Sequence, residues 1–422
     1  MTLGVFGKLP NLRLYGLGLV AMLVPACMQF LLFAFYARAL GAEQYGLYIA
    51  LMSWCPICVE LAGWGAGEYL LKRTAQNRMA FSAGRSHARA ALLASVPVAV
   101  MIFIAMTSAL LGSAIGLWSV AIIGFAECVG LRLLITLEQM AMSLSRWKTA
   151  NCLRALQVAP RLIGVAIAYF GFGMQGFEAL AIAGSLGVLI AGIGLSIGLS
   201  RYFPAADVVQ MDWRGVRQGS WFVGNQLVRA SQQNIDRIVL APLLDPASLA
   251  IFGAAQRFIQ IGMLPLQAVM RTSYPGFFTA GSAGIAASIS YGRGVLPMAL
   301  GAAALGALGL AAMTPLITLA IGPDFNLSAH YLLYLAPSLL LFAVNSTFAD
   351  ILSGAGHLPL RLLLAVSGIA LQALIYVLMH RGDQIVVANY AGVALSALLT
   401  VAAVGALNFT RRRSVVLATG PS

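Results

Sequence analysis

Apolar runs close to the length of a bilayer-crossing helix recur from one end of this chain to the other, with short polar stretches between them. A hydrocarbon core takes about 20 residues of helix. Twelve runs meet that length and predict spanning helices over residues 14–37, 45–69, 90–112, 116–140, 154–171, 178–200, 218–242, 248–271, 294–320, 330–353, 361–379 and 385–408. Long unbroken runs, rather than short alternating segments, predict a helical bundle and not a barrel. The longest connections, 70–89 and 201–217, leave no room for a globular domain. Residues 1–13 carry two cations and no apolar stretch with a small-residue cleavage site, so the first run is expected to stay as a helix.

Composition agrees. The 422 residues are 60% hydrophobic and 9% charged, with a mean hydropathy of +0.88. A soluble domain is about 25% charged, so the class is integral membrane. A formal charge of +13 would point to nucleic acid in a soluble protein. Here the cations orient loops, and no nucleic-acid partner is expected. Of the 26 Lys and Arg residues, nineteen fall in one set of loops, from Lys8 and Arg13 through Lys72, Arg73, Arg78, Arg85, Arg89, Arg146, Lys148, Arg154, Arg201, Arg214, Arg217, Arg271, Arg293 and Arg361 to Arg411, Arg412 and Arg413. The opposite set holds Arg38 and Arg381, with the acids Glu43, Glu178, Asp245, Asp324 and Asp383. That bias predicts both termini in the cytoplasm and an even number of spans.

The chain also repeats itself weakly. Leu40-Gly41-Ala42-Glu43-Gln44-Tyr45-Gly46-Leu47-Tyr48 closes the first hairpin, and Leu244-Asp245-Pro246-Ala247-Ser248-Leu249-Ala250-Ile251-Phe252 closes another 204 residues later. Leu144-Ser145 before Arg154 is echoed by Leu352-Ser353 before Arg361. The offset predicts two six-helix lobes, 1–200 and 218–422, joined by a cytoplasmic linker at 201–217. With six helices each, the lobes share one orientation, and their pseudo-two-fold axis runs along the membrane normal.

Five arginines lie inside the apolar runs: Arg132, Arg161, Arg229, Arg237 and Arg257. Each costs roughly 2.5–3.5 kcal/mol at a bilayer centre on insertion scales, so intramembrane charges face an interior or a wet cavity. In the seventh span Asn225, Arg229, Gln232 and Asp236 fall within about a 60° arc of a helix, widened by Gln226, Gln233 and Arg237. In the eighth, Gln256, Gln260 and Gln267 share a face with Arg257 beside them. In the fifth, Arg154, Gln157 and Arg161 recur at helical spacing. A guanidinium stays charged and donates two parallel hydrogen bonds, which suits phosphate, and glutamine and asparagine amides suit sugar hydroxyls. The competing reading is local pairing, Arg237 with Asp236 and Arg132 with Glu127 or Glu138, with glutamines joining helices. Among the acids, Glu60, Asp236 and Asp350 lie deepest. Desolvation favours a neutral carboxyl, so these are candidates to carry a proton or sodium ion, or else to act as fixed counter-ions. Glu68 and Glu138 lie nearer the cytoplasm.

Other features subtract from the picture. Cys55-Pro56-Ile57-Cys58 sits in an apolar run without a second pair, and a thiolate there is costly. The histidines are scattered, so no metal is expected. No Walker A stretch appears, and Asp207 and Asp212 flank too short a linker for a nucleotide-sugar site, so no cofactor and no enzyme activity is expected. Pro25, Pro56, Pro97, Pro160, Pro265 and Pro337, and Gly63, Gly65 and Gly67 beside Trp64, are candidate hinges or packing sites.

The stretch Tyr36-Ala37-Arg38-Ala39-Leu40-Gly41-Ala42-Glu43-Gln44-Tyr45-Gly46-Leu47-Tyr48 resembles the first-loop signature of bacterial polysaccharide transporters of the O-antigen flippase type. So does Val59-Glu60-Leu61-Ala62-Gly63-Trp64-Gly65 running on to Leu71-Lys72-Arg73-Thr74-Ala75. Asn234-Ile235-Asp236-Arg237-Ile238-Val239-Leu240, then Ile251-Phe252-Gly253-Ala254-Ala255-Gln256-Arg257 and Tyr274-Pro275, is similar to that family's second-half opening. The resemblance covers most of the chain. It places the chain in a superfamily with multidrug extruders and the lipid II flippase, which has two more helices. It implies flipping of polyprenyl-pyrophosphate-linked oligosaccharide from the cytoplasmic to the periplasmic leaflet of a bacterial inner membrane, by alternating access between two lobes. Membrane lipids, a coupling H+ or Na+, and polysaccharide polymerase or assembly proteins are candidate partners. The rivals are a cation-coupled multidrug exporter, whose cavity should be acidic and aromatic, and a non-transporting component of an assembly complex.

Overall fold

The computed structural model describes residues 12–204 and 209–418, and every regular element in them is helical. They pack into two compact units, residues 1–40 with 50–227, and residues 41–49 with 228–422.

The first unit begins with α1 (Leu12–Met52), which runs through the expected first hairpin; Gly41, at φ +68°, is its one non-helical residue. That left-handed backbone suits glycine, and it divides α1 into arms 12–40 and 42–52. The expected second span is broken twice. After α1 come α2 (Cys55–Leu61) and α3 (Ala66–Gln76), separated by a turn in which Trp64 and Gly65 both have positive φ. A broken helix at membrane depth needs its loose backbone groups satisfied, and Ser95 donates its hydroxyl to the Ala62 carbonyl at 2.8 Å. α4 (Phe81–Leu111) follows. α5 (Leu117–Ala126) passes through a π turn, Glu127–Leu131, into α6 (Arg132–Ser143). The fifth span divides at Leu156–Val158 into α7 (Trp147–Ala155) and α8 (Ala159–Ala166), which ends in a second π turn, and α9 (Phe177–Gly198) closes the set. Gly130 and Gly192 meet backbone to backbone, an approach that any side chain would block. Leu70, Phe81, Leu137, Met140 and Phe203 form an apolar core.

α10 (Trp213–Leu240) has its first half, 213–227, in this unit and its second half in the other. The expected linker and the start of the expected seventh span thus belong with the first unit. The contacts explain why: Trp64 Nε1 donates to Ser220 Oγ at 3.1 Å, Lys72 Nζ to Gln218 Oε1 at 3.1 Å, and Gly219 lies directly against the Trp64 carbonyl.

The second unit continues with α11 (Pro246–Gly262), α12 (Leu264–Gly281), α13 (Ile285–Ile321), α14 (Asn326–Leu335), α15 (Ser338–Gly354), α16 (Leu358–Leu378) and α17 (Gln384–Ala418). α11 and α12 together make one span bent by 45°, and α14 and α15 another bent by 50°. Phe277, Ile351, Leu352 and Val404 centre its core. Leu93, Trp118, Phe170, Ile190, Leu305, Leu319 and Leu398 are exposed on the helices, the outward apolar surface that a lipid environment calls for.

Eight stretches are long and apolar enough to cross a membrane, or ten with each bent pair as one span. Two features separate that count from twelve. Val24–Leu61 counts once although Gly41 breaks it. α10 does not count at all, because Arg229, Asp236 and Arg237 interrupt its apolar residues.

Candidate functional site

The intramembrane arginines divide into three environments. Arg132, 1% exposed, donates to Glu60 Oε2 at 2.8 Å, and its Nη2 lies 3.9 Å from Glu68. Gln139 and Gln226 both donate to Glu68 Oε1, at 2.8 and 3.1 Å. Two glycines make room for this network. A Cβ at Gly63 would fall on the Arg132 guanidinium, and one at Gly67 on the Gln139 amide. Those glycines therefore accommodate polar groups between helices. The partners differ from the sequence pairing: Arg132 meets neither Glu127 nor Glu138, because α2 and α3 bring Glu60 and Glu68 to it first.

Arg161 pairs instead with Glu127. Glu127 is wholly buried at the start of the π turn, a local widening that recurs at functional sites, and accepts from Ser185 Oγ at 2.6 Å and Cys55 Sγ at 3.6 Å. That thiol contact gives Cys55 a packing role inside its C-x-x-C. Glu138 is held by Arg154 Nε at 2.9 Å and by Gln157 at 2.6 Å. Arg132 and Arg161 are thus each matched by carboxylates of the first unit.

The α10 stripe behaves differently. Asn225, Arg229, Gln232 and Gln233 are exposed, and Arg229 has no side-chain partner among the described residues. One turn further on, Asn234, Asp236 and Arg237 are buried. Arg237, 6% exposed, donates to Asn234 Oδ1 at 3.2 Å, and its Nη2 has no hydrogen-bond partner among the described residues. Asp236 and Arg257 are its charged neighbours. Arg257 is half-buried on α11. No carboxylate among the described residues lies within ion-pairing distance of either arginine, so the adjacency of Asp236 and Arg237 in sequence does not produce a direct salt bridge. Beside them Gln256 and Tyr376 both donate to Asn389 Oδ1, at 3.2 and 3.0 Å. Gln260 is half-buried on the same helix as Arg257.

Asp350 stands apart, buried in α15 and 3.4 Å from Arg361. Glu60, Asp236 and Asp350 therefore occupy three separate networks. Sequence reading missed Asn234, Tyr376 and Asn389.

Outside the membrane, Asp212 opens α10. Its carboxylate accepts from Tyr69 at 2.7 Å, Arg73 at 2.8 Å and the Arg214 backbone N–H at 3.0 Å. The Tyr69 hydrogen bond, with the Arg214 and Gly215 amides and the Arg73 charge, holds this carboxyl below the usual carboxylate range. Asp245 caps α11 by accepting from the Ser248 N–H at 2.9 Å, which lowers its pKa likewise.

Chemically, the first unit offers carboxylates already matched by arginines. The second offers guanidinium donors with no carboxylate bound to them, joined to an exposed row of arginine and amides.

Two solved structures share this fold across nearly the whole chain. One is an inward-facing multidrug resistance MATE family transporter of the MOP superfamily, with 15% identity over 93% of this chain and 99% of that one, at a TM-score of 0.71. The other is the lipid II flippase MurJ in an inward closed conformation, with 12% identity over 96% of this chain and 92% of that one, at a TM-score of 0.70. No curated protein matches the sequence. The model of a family described as polysaccharide biosynthesis protein matches residues 16–280. On that match the chain, a multi-pass helical membrane protein, belongs to the polysaccharide biosynthesis protein family.

Proposed function

We propose that this protein moves a polyprenyl-pyrophosphate-linked oligosaccharide, an O-antigen or exopolysaccharide repeat unit, from the cytoplasmic to the periplasmic leaflet of the inner membrane. The supporting observation is the α10 row: Asn225, Arg229 and Gln232 exposed on a helix within a chain of 60% hydrophobic residues, leading to Arg237 and Arg257 with no carboxylate bound to them. An exposed arginine at that depth belongs against water or an anion. In this reading the arginines hold the pyrophosphate, the amides contact sugars, and the polyprenyl tail stays in lipid. The two lobes alternate access, and Asp236, Asp350 or Glu60 carries a coupling proton or sodium ion.

The family description and the fold shared with a lipid II flippase support a lipid-linked substrate. The test is surface polysaccharide in a strain whose own copy is replaced. Arg229→Ala and Arg257→Ala are each expected to abolish it at unchanged protein level. Normal polysaccharide in both variants removes the pyrophosphate role. Normal polysaccharide in a deletion strain that has become drug-sensitive instead favours a multidrug exporter, the activity named for the MATE neighbour.

A further inference from the structure

We infer that His87 is a pH-sensitive latch on the chain leading into α10: its neutral imidazole accepts a backbone N–H from that segment, and protonation of the ring releases it. This stands apart from the nature of the substrate. It makes the stretch before α10 a regulated tether of the helix that carries Asn225 and Arg229.

The latch is made within the first unit, where α3 and α4 meet the chain just ahead of α10. Two successive α4 side chains take alternate backbone amides of that chain. Ser86 Oγ accepts from the Gln210 N–H at 2.8 Å, and His87 Nδ1 accepts from the Asp212 N–H at 3.1 Å. The second bond exists only while Nδ1 is unprotonated, so the ring's one proton sits on Nε2. The imidazole is 1% exposed. The Tyr69 ring packs edge-on against it at 5.3 Å between centroids. On another side Gly215, in the first turn of α10, comes so near that any side chain there would strike the imidazole. The ring is therefore confined, and a proton gained at Nδ1 points at the Asp212 amide.

Protonation sets two donors against each other in a buried place, which is strongly disfavoured. The titratable groups around the ring are Asp212 and, on α3, Tyr69 and Arg73. The Asp212 carboxylate favours an imidazolium, but it already accepts from Tyr69 at 2.7 Å, Arg73 at 2.8 Å and the Arg214 N–H at 3.0 Å. Arg73 opposes a second positive charge. His87 lies in the connection 70–89, and burial first, then Arg73, holds its pKa below the usual imidazole value despite Asp212. The ring is therefore neutral and the latch closed at neutral pH, and the latch opens as pH falls through that lowered value. The other ties on the start of α10, Trp64 Nε1 to Ser220 Oγ and Lys72 Nζ to Gln218 Oε1, involve no group that titrates between about pH 5 and 8. Release is thus centred on residues 209–212.

The test reads the motion of that segment by electron paramagnetic resonance. The purified full chain, in phosphatidylcholine nanodiscs, carries a nitroxide on Val209→Cys, an exposed position, with the exposed Cys27 and Cys152 replaced by serine. Spectra are taken from about pH 8 to about pH 5, the range in which imidazoles titrate. The ratio of mobile to immobile label is expected to rise about ten-fold as pH falls, the scale of one buried donor left unmatched. Its midpoint should lie below the ordinary imidazole value of about 6.5. His87→Asn puts an amide oxygen close to the place of Nδ1 and cannot be protonated, so its label should stay immobile throughout. His87→Phe keeps a planar ring without the acceptor, so its label should be mobile at every pH. A flat wild-type curve overturns the latch. So does an unaltered transition in His87→Asn, which assigns the change to another group. Asp212 is not that group in this range, because its carboxyl is held below the usual carboxylate values. A label in folded His87→Phe as immobile as in the wild type at neutral pH overturns the latch as well. Should His87→Phe fail to fold, the wild-type and His87→Asn curves decide the matter.

Discussion

Arg132 and Arg229 have the same side chain on helices of this apolar chain, and the structure predicts opposite failures for them. Removing Arg132 takes away the cation that faces Glu60 and Glu68, and breaking a buried pair from one side costs about 3–5 kcal/mol. Arg132→Ala is therefore expected to lose folded protein, read as a lower melting temperature and lower membrane yield. Gly67→Ala should fail the same way, because its Cβ takes the place of the Gln139 amide. Arg229→Ala leaves no partner behind and should keep wild-type yield while losing export. Equal yields of the Arg132 and Arg229 variants would contradict this division. The sequence showed that these charges were unusual, since an arginine in an apolar run is conspicuous. It did not show which were matched. The Arg132–Glu60 pair spans 72 positions, and helical periodicity says which residues share a face, not what covers that face. Asn225, Arg229, Gln232 and Asp236 lie on one arc, yet the first three are exposed and the last is buried.

Helices were legible where they are long and apolar, and their breaks less so. Pro56, Pro160 and Pro265 each stand in the first turn of a helix after a break, where the absent N–H costs nothing, and Pro337 lies at the bend before α15. Pro25 and Pro97 lie inside continuous helices, so proline alone did not mark a break. The turn at Trp64 and Gly65 carried no such marker. Two helix starts yield predictions. Asp245→Ala removes the cap of α11 and should lower stability by about 0.5–2 kcal/mol, read as the shift in thermal unfolding against Asp245→Asn, which keeps a capping oxygen. Asp212 has a lowered folded pKa. Its contribution is complete above the ordinary carboxylate range and disappears as pH falls through the lower folded value. Acid unfolding of Asp212→Asn should therefore begin from lower stability at neutral pH and approach the wild type at the most acidic end. Parallel curves across the whole range would show that Asp212 contributes nothing through its charge.

At the scale of the molecule, mean hydropathy and loop charge pointed to a multi-pass helical protein, and the family match and shared fold agree. Orientation remains a prediction. A reporter fluorescent only in the cytoplasm should light when fused at either terminus, and a dark fusion at one end would require an odd number of crossings. Some of the charges behind that prediction are tied down: Arg85 is buried and donates to the carbonyls of Phe203 and Pro204, so it also holds the segment that follows α9. The packing of residues 41–49 with the second unit was not legible, because pattern and periodicity act along neighbouring residues and this association does not.

That association has a consequence in time. Gly46 leaves the ribosome about 200 residues ahead of Pro246, the residue it packs against. At about 5–20 residues per second, the segment waits roughly 10–40 s with its aromatic rings unmatched. Throughout that interval the nascent chain depends on the insertion machinery, or on lipid, to shelter nine residues whose permanent neighbours have not yet been made.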